Sequence, residues 1–322
     1  MRGLREREII SILTRQFAGQ PGVPLGFDED VAAIPLSPRT WIILKTDMLV
    51  ASTDVPPGMT VQETARKAVV ATVSDFAAKG VQPKVLMVSL GLPAPANRQT
   101  IQDLARGLGQ AVRAYSCKIV GGDTSQADDL VIGIAGVGFV NPKRLVRRSG
   151  ARVGDIVAVT GQFGRTAAGL KILMSREDRN LERYRSLVNA VRHPRARLSE
   201  GILLAKSGGV TSSIDSSDGL AWSLHQLAQA SRKDIIVDTI PVSADVRGFA
   251  NQHRLSALEL ALYGGEEYEL VVTVKPKMFP ELKKQCPALR KIGTVKRGHG
   301  RVVADLGGKL IRVEERGWEH FA

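Results

Sequence analysis

The feature that most restricts this chain is an alternation of short apolar runs of strand length with longer segments of helical period. WIILKTD (41–47) reads as a buried strand ending in polar residues. After DVPPGMT a helix is expected from about Thr60 to Ala78, with Thr60 and Glu63 in capping-box spacing and Gly80 as terminator. KVLMVSLGL (84–92) is the next strand, followed by a helix over roughly 99–114, a short strand CKIV and a tight GGDT turn. DLVIGIAGVGFV (129–140) completes a strand-rich first half. From DIVAVTG (155–161) onward, helices near 164–175, 180–191, 197–206 and 218–230 alternate with strands near 211–215, 234–238, 268–274 and 290–295. This order predicts an α/β architecture. The polar, basic, turn-rich NPKRLVRRSGARVGD (141–155) marks a boundary, giving expected domains over 1–145 and 146–322.

A length of 322 residues has room for two domains, and 43% hydrophobic with 24% charged residues describes an ordinary globular chain. No apolar run reaches the length of a membrane span. The first residues, MRGLREREIISILTRQF, read as an amphipathic helix and lack the apolar core of a signal peptide. Two distant cysteines, Cys117 and Cys286, argue against a disulfide framework and for the cytoplasm. The net charge of +13 suits an anionic partner, nucleic acid included. Its arginines and lysines are nevertheless spread over many segments, and no zinc-finger spacing, RNA-binding aromatic motif or basic heptad region is present. The expected partners are therefore phosphate-bearing small molecules, with no nucleic acid and no membrane.

The aspartates carry the chemistry. VATVSDFAAKG (70–80) sets Asp75 within the apolar period of a helix, and a second Ser-Asp stands in SIDSSDGLA (213–221), with Asp215 at a strand end and Asp218 where a helix begins. GFDEDVAAI places Asp30 before an apolar run, KTDMLV places Thr46 and Asp47 at a strand end, and VGGDTS places Asp123 after a two-glycine turn. Strand ends and adjoining turns are where open α/β sheets hold ligands. Each segment alone has a plainer reading as a helix cap or a turn. If the carboxylates converge, each pair repels by about 4 kcal/mol at about 4 Å, so the cluster needs cations. Hard oxygen ligands without Cys or His fit magnesium. No GxxxxGK[ST] loop, protein-kinase signature, GxSxG elbow or metal-spaced histidine pair is present. GQFGRTAAGL (161–170) reads either as a phosphate-binding glycine turn or as strand-to-helix packing. These exclusions favour direct transfer without a covalent enzyme intermediate.

Taken in order, EDVAAI, KTDMLV, SDFAAKG, VGGDTS, RSGARVGD, VTGQFG, IDSSDGLA, YGGEEYELVVTV and the terminal RGWEHF resemble the thiamine-monophosphate kinase family over nearly the whole chain. That family belongs with aminoimidazole-ribonucleotide synthetase, selenophosphate synthetase and the hydrogenase-maturation dehydratases. The resemblance implies a two-domain α/β (α+β) fold of the aminoimidazole-ribonucleotide synthetase type, with an N-terminal sheet domain forming a dimer barrel. It implies a homodimer and transfer of the γ-phosphoryl group of ATP, with several Mg2+ ions, onto thiamine monophosphate. Carried onto this chain, the metal ligands are Asp30, Thr46, Asp47, Asp75, Asp123, Asp215 and Asp218. The nucleotide contacts are Gly122, Asp123, Arg148 and Ser217, and the substrate contacts are Asp54, Glu266 and Trp318. No general base is expected, because a phosphate nucleophile is already deprotonated.

The chain departs from the family pattern twice. ASTDVPPGMT, with Asp54, stands where many bacterial members have a histidine-bearing stretch, as in archaeal relatives, and Glu267 replaces the usual Asp of the Gly-Glu-Asp-Tyr motif. Trp318 also reads as a C-terminal anchor packed on the core. The alternatives are a kinase or synthetase of the same fold acting on another phosphorylated metabolite, and a basic nucleic-acid binder.

Overall fold

The computed structural model describes residues 3–17, 22–175 and 181–320. The first half contains α1 (Glu6–Phe17), β1 (Ala32–Ser37), β2 (Thr40–Val50), α2 (Ala51–Asp54), α3 (Val61–Ala78), β3 (Pro83–Leu92), α4 (Arg98–Ala114), β4 (Lys118–Gln126) and β5 (Val131–Val140). These strands form one five-stranded sheet in the order β1-β2-β5-β3-β4, with β1 and β4 at its edges. The second half contains β6 (Ile156–Val159), α5 (Arg165–Met174), α6 (Arg185–Arg192), α7 (Leu198–Lys206), β7 (Val210–Asp215), α8 (Leu220–Ser231), β8 (Asp234–Val237) and α9 (Ala244–Gln252). It ends with α10 (Ala257–Tyr263), β9 (Leu270–Val274), α11 (Phe279–Gln285), β10 (Arg290–Lys296), β11 (Val302–Leu306) and β12 (Lys309–Arg312). Its seven strands form a second sheet in the order β12-β11-β8-β10-β6-β9-β7.

The expected α3 starts where its capping box closes. Thr60 Oγ1 accepts from Glu63 N at 3.2 Å, and Glu63 Oε2 accepts from Thr60 N at 2.7 Å. It stops before Gly80, whose φ of +67° and closeness to Ala205 (a Cβ would lie 2.1 Å from that methyl) admit only glycine. One apolar cluster joins Val69, Val73 and Ala77 of α3 to Leu86 and Ile134 of the first sheet and to Leu204, Leu270 and Val272 of the second half. Helix α3 is therefore the shared core element. Fully buried Phe76 lies against β5 where Gly136 and Gly138 leave room; a Cβ at Gly136 would approach its ring to 2.7 Å.

Three local expectations change. GGDT is not a turn: β4 runs through both glycines to Gln126, and all nine of its residues are exposed. Thr46 and Asp47 do not end a strand, because β2 continues to Val50. Strands β11 and β12 and helices α9–α11, which the alternation did not announce, complete the second half. The helix expected over 180–191 begins at Arg185, while its residue 180 and Phe321 of the terminal motif fall outside the described residues. Among the described residues, no helix is long and apolar enough to cross a membrane. Cys117 and Cys286 are buried and unpaired.

Candidate active site

Asp30 precedes β1, Asp75 hangs from the last turns of α3, and Asp215 ends β7. One carboxylate oxygen from each lies within 4.8 Å of the others. The two Ser-Asp segments meet directly: Ser74 Oγ donates to Asp215 Oδ2 at 2.7 Å, across 141 positions of sequence. Strand alternation puts Lys45 and Asp47 on one face of β2. From there the Lys45 ammonium bridges Asp75 at 2.8 Å and Asp47 at 3.1 Å. Asp30 is held by Lys79 at 2.7 Å and by the guanidinium of Arg148, whose Nε donates to it at 2.8 Å. Glu29 accepts from Lys79 at 2.6 Å and from Arg148 N at 3.0 Å, which ties the segment before β6 to the cluster.

The acids are not electrically equivalent. Burial raises the Asp30 pKa, but Lys79 and Arg148 outweigh it and hold the carboxyl below its ordinary value. Asp75 is raised well above the usual range by burial, which Lys45 opposes and Asp215, Asp47 and Asp30 reinforce. Asp215 is pushed to about 7, by burial and then by Asp30. Asp218 is pushed to about 6, by burial and then by Glu6 of α1. Asp47 Oδ2 is buried and meets no hydrogen-bond donor among the described residues. A buried acidic oxygen without a donor, beside carboxylates whose ionisation burial opposes, fits an all-oxygen divalent cation site.

Not every expected ligand points here. The sheet register sets Thr46 in one row with exposed Met87, and Asp123 in one row with Ser89, Gly133 and exposed Met48. Both side chains lie on the outer face of the first sheet, away from Asp47 within one chain. Ser217 lies between Asp215 and Asp218 in sequence, its carbonyl accepting from Glu266 N at 2.6 Å.

The three expected substrate residues are brought together by two side chains that the sequence did not flag. Lys67, 3% exposed, contacts Glu266 Oε1 at 2.5 Å and donates to the Asp54 carbonyl at 2.7 Å. His320 stands 3.9 Å from the Asp54 carboxylate and edge-on to the Trp318 ring. Position eight residues before Asp75 on an apolar helix was the only available sign for Lys67, and an isolated lysine in such a place reads as a solvated residue. Trp318 does not pack as a core anchor: its backbone N bonds Asp218 O at 2.9 Å, while its side chain is 52% exposed. Glu267 turns from Glu266 toward α5, accepting from Gly164 N at 2.7 Å and Thr166 N at 3.2 Å. The glycine turn of GQFGRTAAGL is thus occupied by the protein's own carboxylate, and strand-to-helix packing is its role.

Residues 28–140 match the N-terminal domain of AIR synthase related proteins, and residues 152–305 match the C-terminal domain. The chain is 37% identical to the thiamine-monophosphate kinase of Nitrosopumilus maritimus over 100% of both proteins. It is 36% identical to that of Pyrococcus abyssi over 99% of this chain and 96% of the relative. A solved complex of AaThiL with AMPPCP and TMP superposes with a TM-score of 0.87 at 28% identity, covering 99% of this chain and 98% of the other. With both domains and the full length accounted for, the chain belongs to the thiamine-monophosphate kinase family of AIR synthase related proteins.

Proposed function

We infer that this chain transfers the γ-phosphoryl group of ATP to the phosphate of thiamine monophosphate, giving thiamine diphosphate and ADP. The observation that carries the reading is the convergence of Asp30, Asp75 and Asp215 from both halves of the chain. The acceptor phosphate oxygen forms a bond to the γ-phosphorus as the bond to the β-bridging oxygen breaks, and the electron pair leaves with ADP. Both partners are anionic, so this reaction is slow without cations that offset the charge and an environment that aligns it. Magnesium held by Asp30, Asp47, Asp75, Asp215 and Asp218 would supply that charge.

Arg148, fixed on Asp30, and Ser217, fixed through Glu266 N, are the proposed nucleotide contacts, with Gly122 and Asp123 contributing from the edge strand. Thr46 and Asp123 are the two proposed metal ligands whose side chains the first sheet turns outward, away from Asp47 within one chain. Asp54, Glu266 and Trp318 are the proposed contacts for the thiamine moiety, with Lys67 and His320 holding their geometry. We propose the division at 145/146 between the two domains. A homodimer through the first sheet is supported by its exposed apolar side chains, among them Leu36, Met48, Met87, Val120 and Phe139. A cytoplasmic location is supported by the two free buried thiols. The test is a coupled assay with purified protein, ATP, magnesium and thiamine monophosphate. Failure to form thiamine diphosphate across metals and temperatures would overturn the reading.

A further inference from the structure

Helix α3 presents opposite faces to two places. Arg66 and Asp75 are nine residues apart, which at about 100° per residue puts them half a turn out of phase. On the Arg66 side lies a cavity of about 890 Å3, bounded by α3, the C-terminal end of α4, α7 and the end of α11. Its cations are Arg66, Arg195 and Lys206, and no Asp or Glu is among its described lining residues. Arg66 is fixed by Nη1 donating to the Pro194 carbonyl at 2.6 Å. Arg195 and Lys206 are exposed; Arg195 feels the Glu200 carboxylate outside the cavity lining, and among the described residues neither forms an ion pair within 4 Å. Tyr115, whose hydroxyl accepts from Ala196 N at 2.9 Å, pins the segment that carries Arg195. Burial raises the Tyr115 pKa, opposed first by the Ala196 hydrogen bond and then by the charges of Arg66, Arg195 and Arg197. Leu198, Ile202 and Leu203 supply an apolar surface beside it.

A neighbouring cavity of about 330 Å3 shares Arg195 but differs in character. There Arg197 is committed to Glu269, with Nε at 2.8 Å and Nη2 at 2.5 Å, and Glu267 caps α5. Its lining therefore carries carboxylates, Glu267 and Glu269, that the larger cavity lacks.

We propose that the larger cavity is a second ligand site, for a small organic phosphate carrying an apolar ring or chain. The three cations of the acid-free lining meet the phosphate oxygens, with guanidinium geometry suited to them. The leucine and isoleucine wall takes the apolar body, and the volume lies in the range of small-molecule pockets. The site needs no divalent cation, which separates it from the carboxylate cluster.

The test titrates 1-naphthyl phosphate into the full chain in EDTA, followed by calorimetry. Without divalent cations the carboxylate cluster repels a phosphate, so binding reports the cavity. The expected result is one saturable equivalent per chain, weakened at least about tenfold in Arg195→Gln/Lys206→Gln and unchanged in Asp75→Asn. Inorganic phosphate, which leaves the apolar wall unused, should bind about tenfold more weakly or less. Lys206→Glu alone, at an exposed helix end, should also weaken binding and keeps the test open if the double variant does not fold. No saturable binding, equal affinity in these variants, or loss of binding in Asp75→Asn would each overturn the proposal.

Discussion

Replacing Asp75 by asparagine keeps the side-chain shape and removes its charge. In the metal-free protein two effects nearly cancel. The attraction to Lys45 at 2.8 Å, about 6 kcal/mol at an effective dielectric of about 20, is lost. Repulsion from Asp30 and Asp215 within 4.8 Å, at least about 3.5 kcal/mol each on the same basis, is removed. Burial tips the balance, since it is the largest reason the Asp75 carboxyl resists ionisation. The variant should therefore unfold in EDTA within about 2 °C of the parent, or above it. Magnesium at about 100 times its Kd should stabilise the parent by about 2.7 kcal/mol. For 322 residues, at about 2.1 cal/mol/K per residue, that is about 4 °C in Tm. In Asp75→Asn the magnesium response should shrink below about 1 °C, and turnover should fall at least about 100-fold. Differential scanning fluorimetry with and without magnesium, beside the coupled assay, reads both. A large Tm loss in EDTA would make Asp75 a structural counterion of Lys45. Retained turnover or a retained magnesium shift would remove it from the cation site.

Trp318→Ala should leave the thermal transition nearly unmoved, since the ring is half exposed, while steady-state kinetics show KM for thiamine monophosphate raised roughly 5- to 30-fold and KM for ATP unchanged. Lys67→Met removes a buried ammonium that holds Glu266 and the Asp54 carbonyl. It should cost about 3 kcal/mol, roughly 4 °C in Tm by thermal scanning, and raise KM for the acceptor more than it lowers kcat. Glu267 has its pKa raised to about 7, by burial first, so its charge costs stability that is absent at low pH and grows as pH rises from about 4.5 through about 7. Glu267→Gln should therefore be stabilised relative to the parent at pH 8 but not at pH 5, by at most about 3.4 kcal/mol or about 5 °C in Tm; a parallel offset at both pH values would show that the carboxyl ionises freely.

Much of the architecture is written in local pattern. The capping box at Thr60, the terminator Gly80 and the apolar period of α3 specify that helix before any tertiary contact forms, because each satisfies a backbone requirement within a few residues. The strands fared less evenly. β4 crosses two glycines that looked like a turn, because pairing with β3 supplies the backbone hydrogen bonds that glycine's own propensity does not favour. The short β11–β12 hairpin and α9–α11 gave no long periodic run to read.

For the site, residue chemistry named the acids, and the family resemblance placed them in order along the chain. What no reading of segments could supply is which acids share a face. One step along β2 separates Asp47, turned inward to Lys45, from Thr46, turned outward in the row of Ala135 and Met87, and that choice belongs to the sheet's packing on α3. Likewise the contact of Ser74 with Asp215, the bridge of Lys67 to Glu266 and the capping of α5 by Glu267 join positions far apart in sequence. The sequence determined that this chain would carry carboxylates at the edges of its elements. Only the folding of both halves onto one helix decided which of them meet, since burial and opposing charge act across space and not along the chain.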